Sequence, residues 1–176
     1  KFTRRPDVII HLSTSRFQFA SESSGFAVIG GRRRNGVFGP ADGFERGSNV
    51  AIVYLDLDDL TLAHELGHVL GLGHSRKQTE SIGNSTFPWS VGHGIESDFA
   101  TIMAYPTVFD VESFVGYFSS PALTCSTPSG ACGISSEDIL RGADSVKTLN
   151  ITGWQVSAYS NGFPPHIAYD GPEDIF

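Results

Sequence analysis

The chain has 176 residues, 40% apolar and 18% charged, with a formal net charge of −7. Length and composition fit one globular domain and exclude a disordered or low-complexity chain. The acidic balance argues against a dedicated nucleic-acid binder, and the absence of a run of about 18 apolar residues argues against a transmembrane helix.

Taken in order, residues 7–14 (DVIIHLST) predict a short buried strand bounded by Pro6. Residues 25–31 (GFAVIGG) predict a second strand, and GRRRNGVFGPADG follows as a basic turn and a short apolar piece. Residues 49–56 (NVAIVYLD) carry the strongest strand pattern, after which residues 60–72 (LTLAHELGHVLGL) switch to helical periodicity. Residues 75–100 have no sustained period and read as a long loop. TIMAYP at 101–106 is a short apolar piece ended by proline, and a second irregular region runs from 107 to 134. Residues 136–149 (SEDILRGADSVKTL) predict a second helix. Ser135 or Ser136 would cap it, and Ile139, Leu140, Ala143, Val146 and Leu149 would form its apolar stripe. The tail from Asn150 reads as loop or edge strand. Strands, a helix, an irregular middle and a late helix make the class α+β, in a single domain over 1–176.

The two cysteines, Cys125 and Cys132, lie in CSTPSGAC. The spacing excludes a CxxC redox motif and suits a local disulfide, which is mostly an extracellular feature. No signal peptide is visible at Lys1, which reads as a trimmed or mature start, and the expected location is secreted. The sequons at Asn84 and Asn150 matter only in a eukaryotic secretory host.

Three of the six histidines fall within HELGHVLGLGH, residues 64–74. His64 and His68, four apart on a helix, present two imidazoles on one face to one metal ion. Glu65 lies about 100° round the helix, where it can hold a water beside the metal and take its proton without being a ligand. Gly71 ends the helix, because that position needs a positive φ, and Gly73 frees the chain to return His74 to the same centre. Three protein ligands and an open position form the arrangement of catalytic rather than structural zinc. Imidazole also suits other transition ions. Calcium enters only through Asp56, Asp58 and Asp59, which serve equally as charge near the helix N-terminus.

HELGHVLGLGH together with TIMAYP resembles the metzincin zinc endopeptidases, by their zinc signature and Met-turn. WSVGHGIESDFATIMAY, FSSPALTC and ADSVKTLN are similar to bacterial secreted reprolysin-like peptidases, and an astacin-like branch is the neighbouring alternative. The resemblance covers about residues 50–150. It implies an upper lobe, residues 1–73, with a twisted mixed sheet and the zinc helix. It implies a lower irregular lobe, residues 74–176, with the Met-turn and the late helix. His64, His68 and His74 would hold zinc, Glu65 would act as general base and then acid, and Met103 would floor the site. Tyr105 would ligate zinc or stabilise an oxyanion, as in some branches, or simply be a buried aromatic. Substrate would run along the sheet edge at residues 25–39, including Gly36-Val37-Phe38-Gly39. The S1′ pocket would be lined by Val69 and by Pro106, Thr107, Val108 and Phe109. Protein or peptide substrates and an inhibitory pro-segment follow by the same analogy, and an accessory chain is an open alternative. Only 63 residues precede His64, which is short for the upper lobe of that family.

Other residues are less informative. Arg32, Arg33 and Arg34 form a solvated turn or a site for acidic substrates. His11, His93 and His166 follow no pattern, although Gly92-His93-Gly94 could border the cleft. A catalytically silent binding module, a peptidase using Glu80 as third ligand, and the proteolytic subunit of a toxin are the rival readings. Intact Glu65 disfavours the first, and His74 with Met103 disfavours the second.

Overall fold

A computed structural model describes residues 8–13, 25–30, 50–54, 60–78, 85–126 and 130–159. The chain is α+β. Three strands come first, β1 (Ile9–Ser13), β2 (Gly25–Ala27) and β3 (Val50–Tyr54), followed by helix α1 (Thr61–Val69). Two short hairpins then pair β4 (Gly94–Ile95) with β5 (Phe99–Ala100), and β6 (Thr124–Ser126) with β7 (Gly130–Ala131). A 3-10 turn occupies Pro106–Phe109, and helix α2 (Ser145–Tyr159) closes the described fold.

The first sheet has the order β1-β3-β2 and is mixed. β1 runs parallel to β3, pairing Ile9 with Val50 and Leu12 with Val53, whereas β2 runs antiparallel, pairing Gly25 with Val53 and Ala27 with Ala51. Because side chains alternate along a strand, Ala51, Val53, Gly25 and Ala27 share one face. That face meets the helices: Ala51 packs with Val69 of α1 and Val156 of α2. β3 is central and its VAIVY sequence is β-branched and apolar, as a strand covered by helices requires. β1 is correctly placed by sequence but is not the buried strand its composition suggests. Ile9, Ile10 and Leu12 are exposed, and β1 is an edge among the described strands.

The second helix differs from expectation. It spans 145–159 rather than 136–149. Residues 135–142 instead form turns built on Asp138, whose carboxylate accepts from the Leu140 and Arg141 backbone N–H groups and from the Arg141 guanidinium. Ile139 and Leu140 therefore point outward, 56% and 78% exposed. The chain crosses an isolated bridge between Ile134 and Ala143 before the helix begins. Asp144 then caps α2, its carboxylate accepting from the Lys147 N–H at 3.1 Å. Thr152 ties α2 to the end of α1, its hydroxyl donating to the Leu70 carbonyl at 2.8 Å.

Cys125 and Cys132 are joined by a disulfide. Among the described residues no helix is long and apolar enough to cross a membrane. The segments 31–39, Arg32 to Arg34, Asp56, Asp58, Asp59, Glu80, Asn84, His166 and the tail after Tyr159 lie outside the described residues.

Candidate metal centre

The end of α1 determines the site. Gly71 has φ 92°, its N–H donates to the His68 carbonyl, and the Leu72 N–H donates back to Gly67, each at 2.9 Å. This pair of bonds is a Schellman motif, and glycine occupies its left-handed position without steric cost. The chain then reverses. Gly73 pairs with Val91, and His74 returns toward the helix.

The three imidazoles converge. Nε2 of His74 lies 3.2 Å from Nε2 of His64 and 3.1 Å from Nε2 of His68. The outer nitrogens are committed elsewhere. Nδ1–H of His64 donates to the Ile102 carbonyl at 2.6 Å, and Nδ1–H of His68 to the Leu72 carbonyl at 2.8 Å. These bonds leave the Nε2 lone pairs of both rings facing inward, the tautomer a metal ligand needs. Burial lowers the pKa of all three, that of His68 to about 3 and that of His74 to about 4, and for these two the neighbouring imidazoles add to the effect. Neutral rings are therefore what folding supplies. Among the described residues this is the one cluster of side chains grouped to hold an ion.

Glu65 is buried on the adjacent flank of α1, against β2. A Cβ at Gly25 would stand 2.7 Å from the Glu65 Cγ and Oε1, so a larger residue there would displace this carboxylate. Its Oε2 is buried with no hydrogen-bond partner. A carboxylate oxygen left so is costly in a resting core and is expected where a ligand or water completes it. Burial pushes its pKa up to about 7. The inward Nε2 set and this orphaned oxygen fit a bound metal with a water beside it.

Met103 is fully buried beneath the helix, in a cluster with Leu72 and Ile102. A Cβ on Gly67 would lie 2.5 Å from its Sδ, so the glycine between Glu65 and His68 is what admits the thioether. The preceding carbonyl, Ile102, holds His64, so the turn also fixes the orientation of that imidazole. Tyr105 is 44% exposed, with its ring centroid 4.6 Å from that of His74 and 5.7 Å from that of His64. Burial, then the charge of Glu65, raises its pKa.

Of the expected pocket residues, Pro106 and Val108 are half-buried, Thr107 is exposed, and Phe109 is buried against Ala100 and Ala104. Val69 has no exposure and belongs to the core between β3 and α2. His93 stands beside Phe99, its ring centroid 5.9 Å away, and burial lowers its pKa. Gly92 packs under the Met103 backbone. Two neighbours were missed in the sequence. Phe114 places its ring centroid 6.2 Å from His64, and Gln78 accepts a hydrogen bond from the Tyr105 N–H. No spacing rule links either to the histidine motif.

The model of metallo-peptidase family M12, reprolysin type, matches residues 3–115. A peptidyl-Asp metalloendopeptidase of Pseudomonas aeruginosa is 32% identical over 108 residues, covering 56% of this chain. The chain spans only 17% of that relative's length. A solved structure described as a chaperone–substrate complex is similar in fold, with a TM-score of 0.54 and 18% identity over 87% of this chain and 20% of the other.

Proposed function

The chain belongs to metallo-peptidase family M12, and from that premise we propose that it is a secreted zinc endopeptidase hydrolysing internal peptide bonds of protein substrates. The observation that carries this reading is the buried, unpartnered Oε2 of Glu65 beside three inward-facing imidazoles. His64, His68 and His74 would hold the ion. Bound zinc supplies Lewis-acid polarisation and a lowered water pKa.

The chain's own residues do the rest. Glu65 accepts the proton of the attacking water at a carboxylate oxygen and returns it to the leaving amine. Gly25 brings β2 against Glu65, so an extended substrate laid along that strand passes beside the base. The Tyr105 phenol donates to the developing oxyanion, and the segment Pro106–Phe109 forms the pocket wall. Met103 keeps the ligand helix seated. In this reading residues 1–73 and 74–176 are the two lobes, and an inhibitory pro-segment precedes activation. The named activity of the P. aeruginosa relative extends the proposal to cleavage beside aspartate.

Digestion of a mixed peptide library, read by mass spectrometry beside Glu65→Ala and a chelator-treated control, tests this. Cuts that vanish in both controls, and cluster at aspartate, are expected. No cuts with zinc still bound would make the chain a binding module instead.

A further inference from the structure

Gln78 stands four residues beyond His74, outside the zinc motif. Its amide oxygen Oε1 accepts from the Ser75 hydroxyl at 2.7 Å, the Tyr105 backbone N–H at 2.9 Å and the Ser75 N–H at 3.3 Å. Its own N–H donates to the Ser75 carbonyl at 3.0 Å, closing a turn that fixes where the side chain starts. Ser75 follows His74 directly and is itself buried. One side-chain oxygen thus ties the segment carrying the third histidine to the residue that follows the Met103–Ala104 turn.

Tyr105 needs such a restraint. Its ring is 44% exposed yet sits 4.6 Å, centroid to centroid, from the His74 ring. A ring so exposed is little confined by packing, so its backbone largely decides where it points. On one side Pro106 confines the preceding residue to extended geometry, and Tyr105 has φ −64° and ψ 124°. On the other side the N–H is gripped by Gln78. Catalytic donors gain from being held before the reaction begins.

We propose that Gln78 is a positioning residue whose Oε1 fastens the Tyr105 backbone to the His74 segment and so aims the Tyr105 phenol into the site. This rests on the endopeptidase reading above. The test uses the zinc-loaded chain and four variants: Gln78→Ala, Gln78→Glu, Tyr105→Phe and the Gln78→Ala/Tyr105→Phe double. Gln78→Ala is expected to lower kcat about tenfold with KM within about twofold, the pattern of a lost transition-state interaction. Gln78→Glu keeps an acceptor oxygen at the same reach and recovers most of the rate. The double variant is no slower than Tyr105→Phe alone, because aiming an absent hydroxyl has no effect. An equal loss from Gln78→Ala in both Tyr105 backgrounds, full activity in Gln78→Ala, or loss of its zinc each overturns the proposal. The tether also has a readout free of catalysis. Nitration of Tyr105 by tetranitromethane, followed by peptide mapping, accelerates in Gln78→Ala if the tether holds and is unchanged if it does not. A parent chain that cleaves nothing while showing that acceleration refutes the endopeptidase reading and keeps the tether.

Discussion

Gly67→Ala separates two opposing effects at the floor of the site. In an ordinary helix interior, replacing glycine with alanine stabilises by about 1 kcal/mol. Here the new methyl would stand 2.5 Å from Met103 Sδ and 3.3 Å from both Met103 Cε and Leu72 Cδ1. Carbon and sulfur want at least about 3.5 Å, so the thioether must retreat by roughly 1 Å. It has little room, being fully buried with Gly92 pressed against its backbone. Overpacking of this kind costs about 1–3 kcal/mol, so the net effect is a loss of about 1 kcal/mol. Displacing Met103 also drags Ile102, whose carbonyl orients His64. Disturbing such a partner weakens metal binding by about 10- to 100-fold. Met103→Ala alone leaves a cavity and costs about 2–5 kcal/mol. In that background the methyl of Gly67→Ala meets no sulfur, and the same substitution becomes stabilising. Urea unfolding of the metal-free proteins, with zinc titration against a competing chelator, reads both quantities. A gain of about 1 kcal/mol from Gly67→Ala in the parent chain, with zinc affinity intact, refutes the confinement of Met103.

Glu65→Gln should fold, keep its zinc and lose about 10²- to 10⁴-fold in kcat, measured on the best library peptide; near-parental turnover sinks the assignment of the base. The metal-free protein should weaken in acid. His68 and His74 have folded pKa values of about 3 and about 4 against 6.5, so their contribution is present above 6.5 and is lost as pH falls toward those values. Glu65, raised from 4.5 to about 7, acts oppositely, stabilising fully below 4.5 and losing this as pH rises through 7. Glu65→Gln therefore steepens the loss between pH 7 and 4.5, and urea midpoints across that range check it. Cys125→Ser with Cys132→Ser should lower stability by about 2–3 kcal/mol for so short a loop, read by thermal unfolding, without changing kcat of the zinc-loaded protein.

The parts of this fold that were legible in the sequence are those fixed by local rules. The β-branched run at 50–54 and the helical period over 61–69 follow from side-chain alternation and amphipathicity. Gly71 was readable because the left-handed position after a helix admits glycine. The convergence of His64, His68 and His74 followed from the helix period and that reversal together. What failed depended on competition between local structures. Residues 136–149 carry a helical apolar stripe, but Asp138 captures two backbone N–H groups and holds the chain in turns. The signal that wins is Asp144 preceding Ser145-Val146-Lys147, a cap whose partner is three residues on. What stayed invisible depends on contacts between distant segments. Val69 is on α1, yet it packs against Val156 of α2, and no period shows where α2 docks. Phe114 meets His64, and Gln78 meets Tyr105, only because the turn at Met103, packed on Gly67 and Gly92, brings these distant segments together. The candidate ligands are thus written in one helix and its turn, while tertiary hydrogen bonds join the His64 ring to the Ile102 carbonyl and the Tyr105 N–H to Gln78.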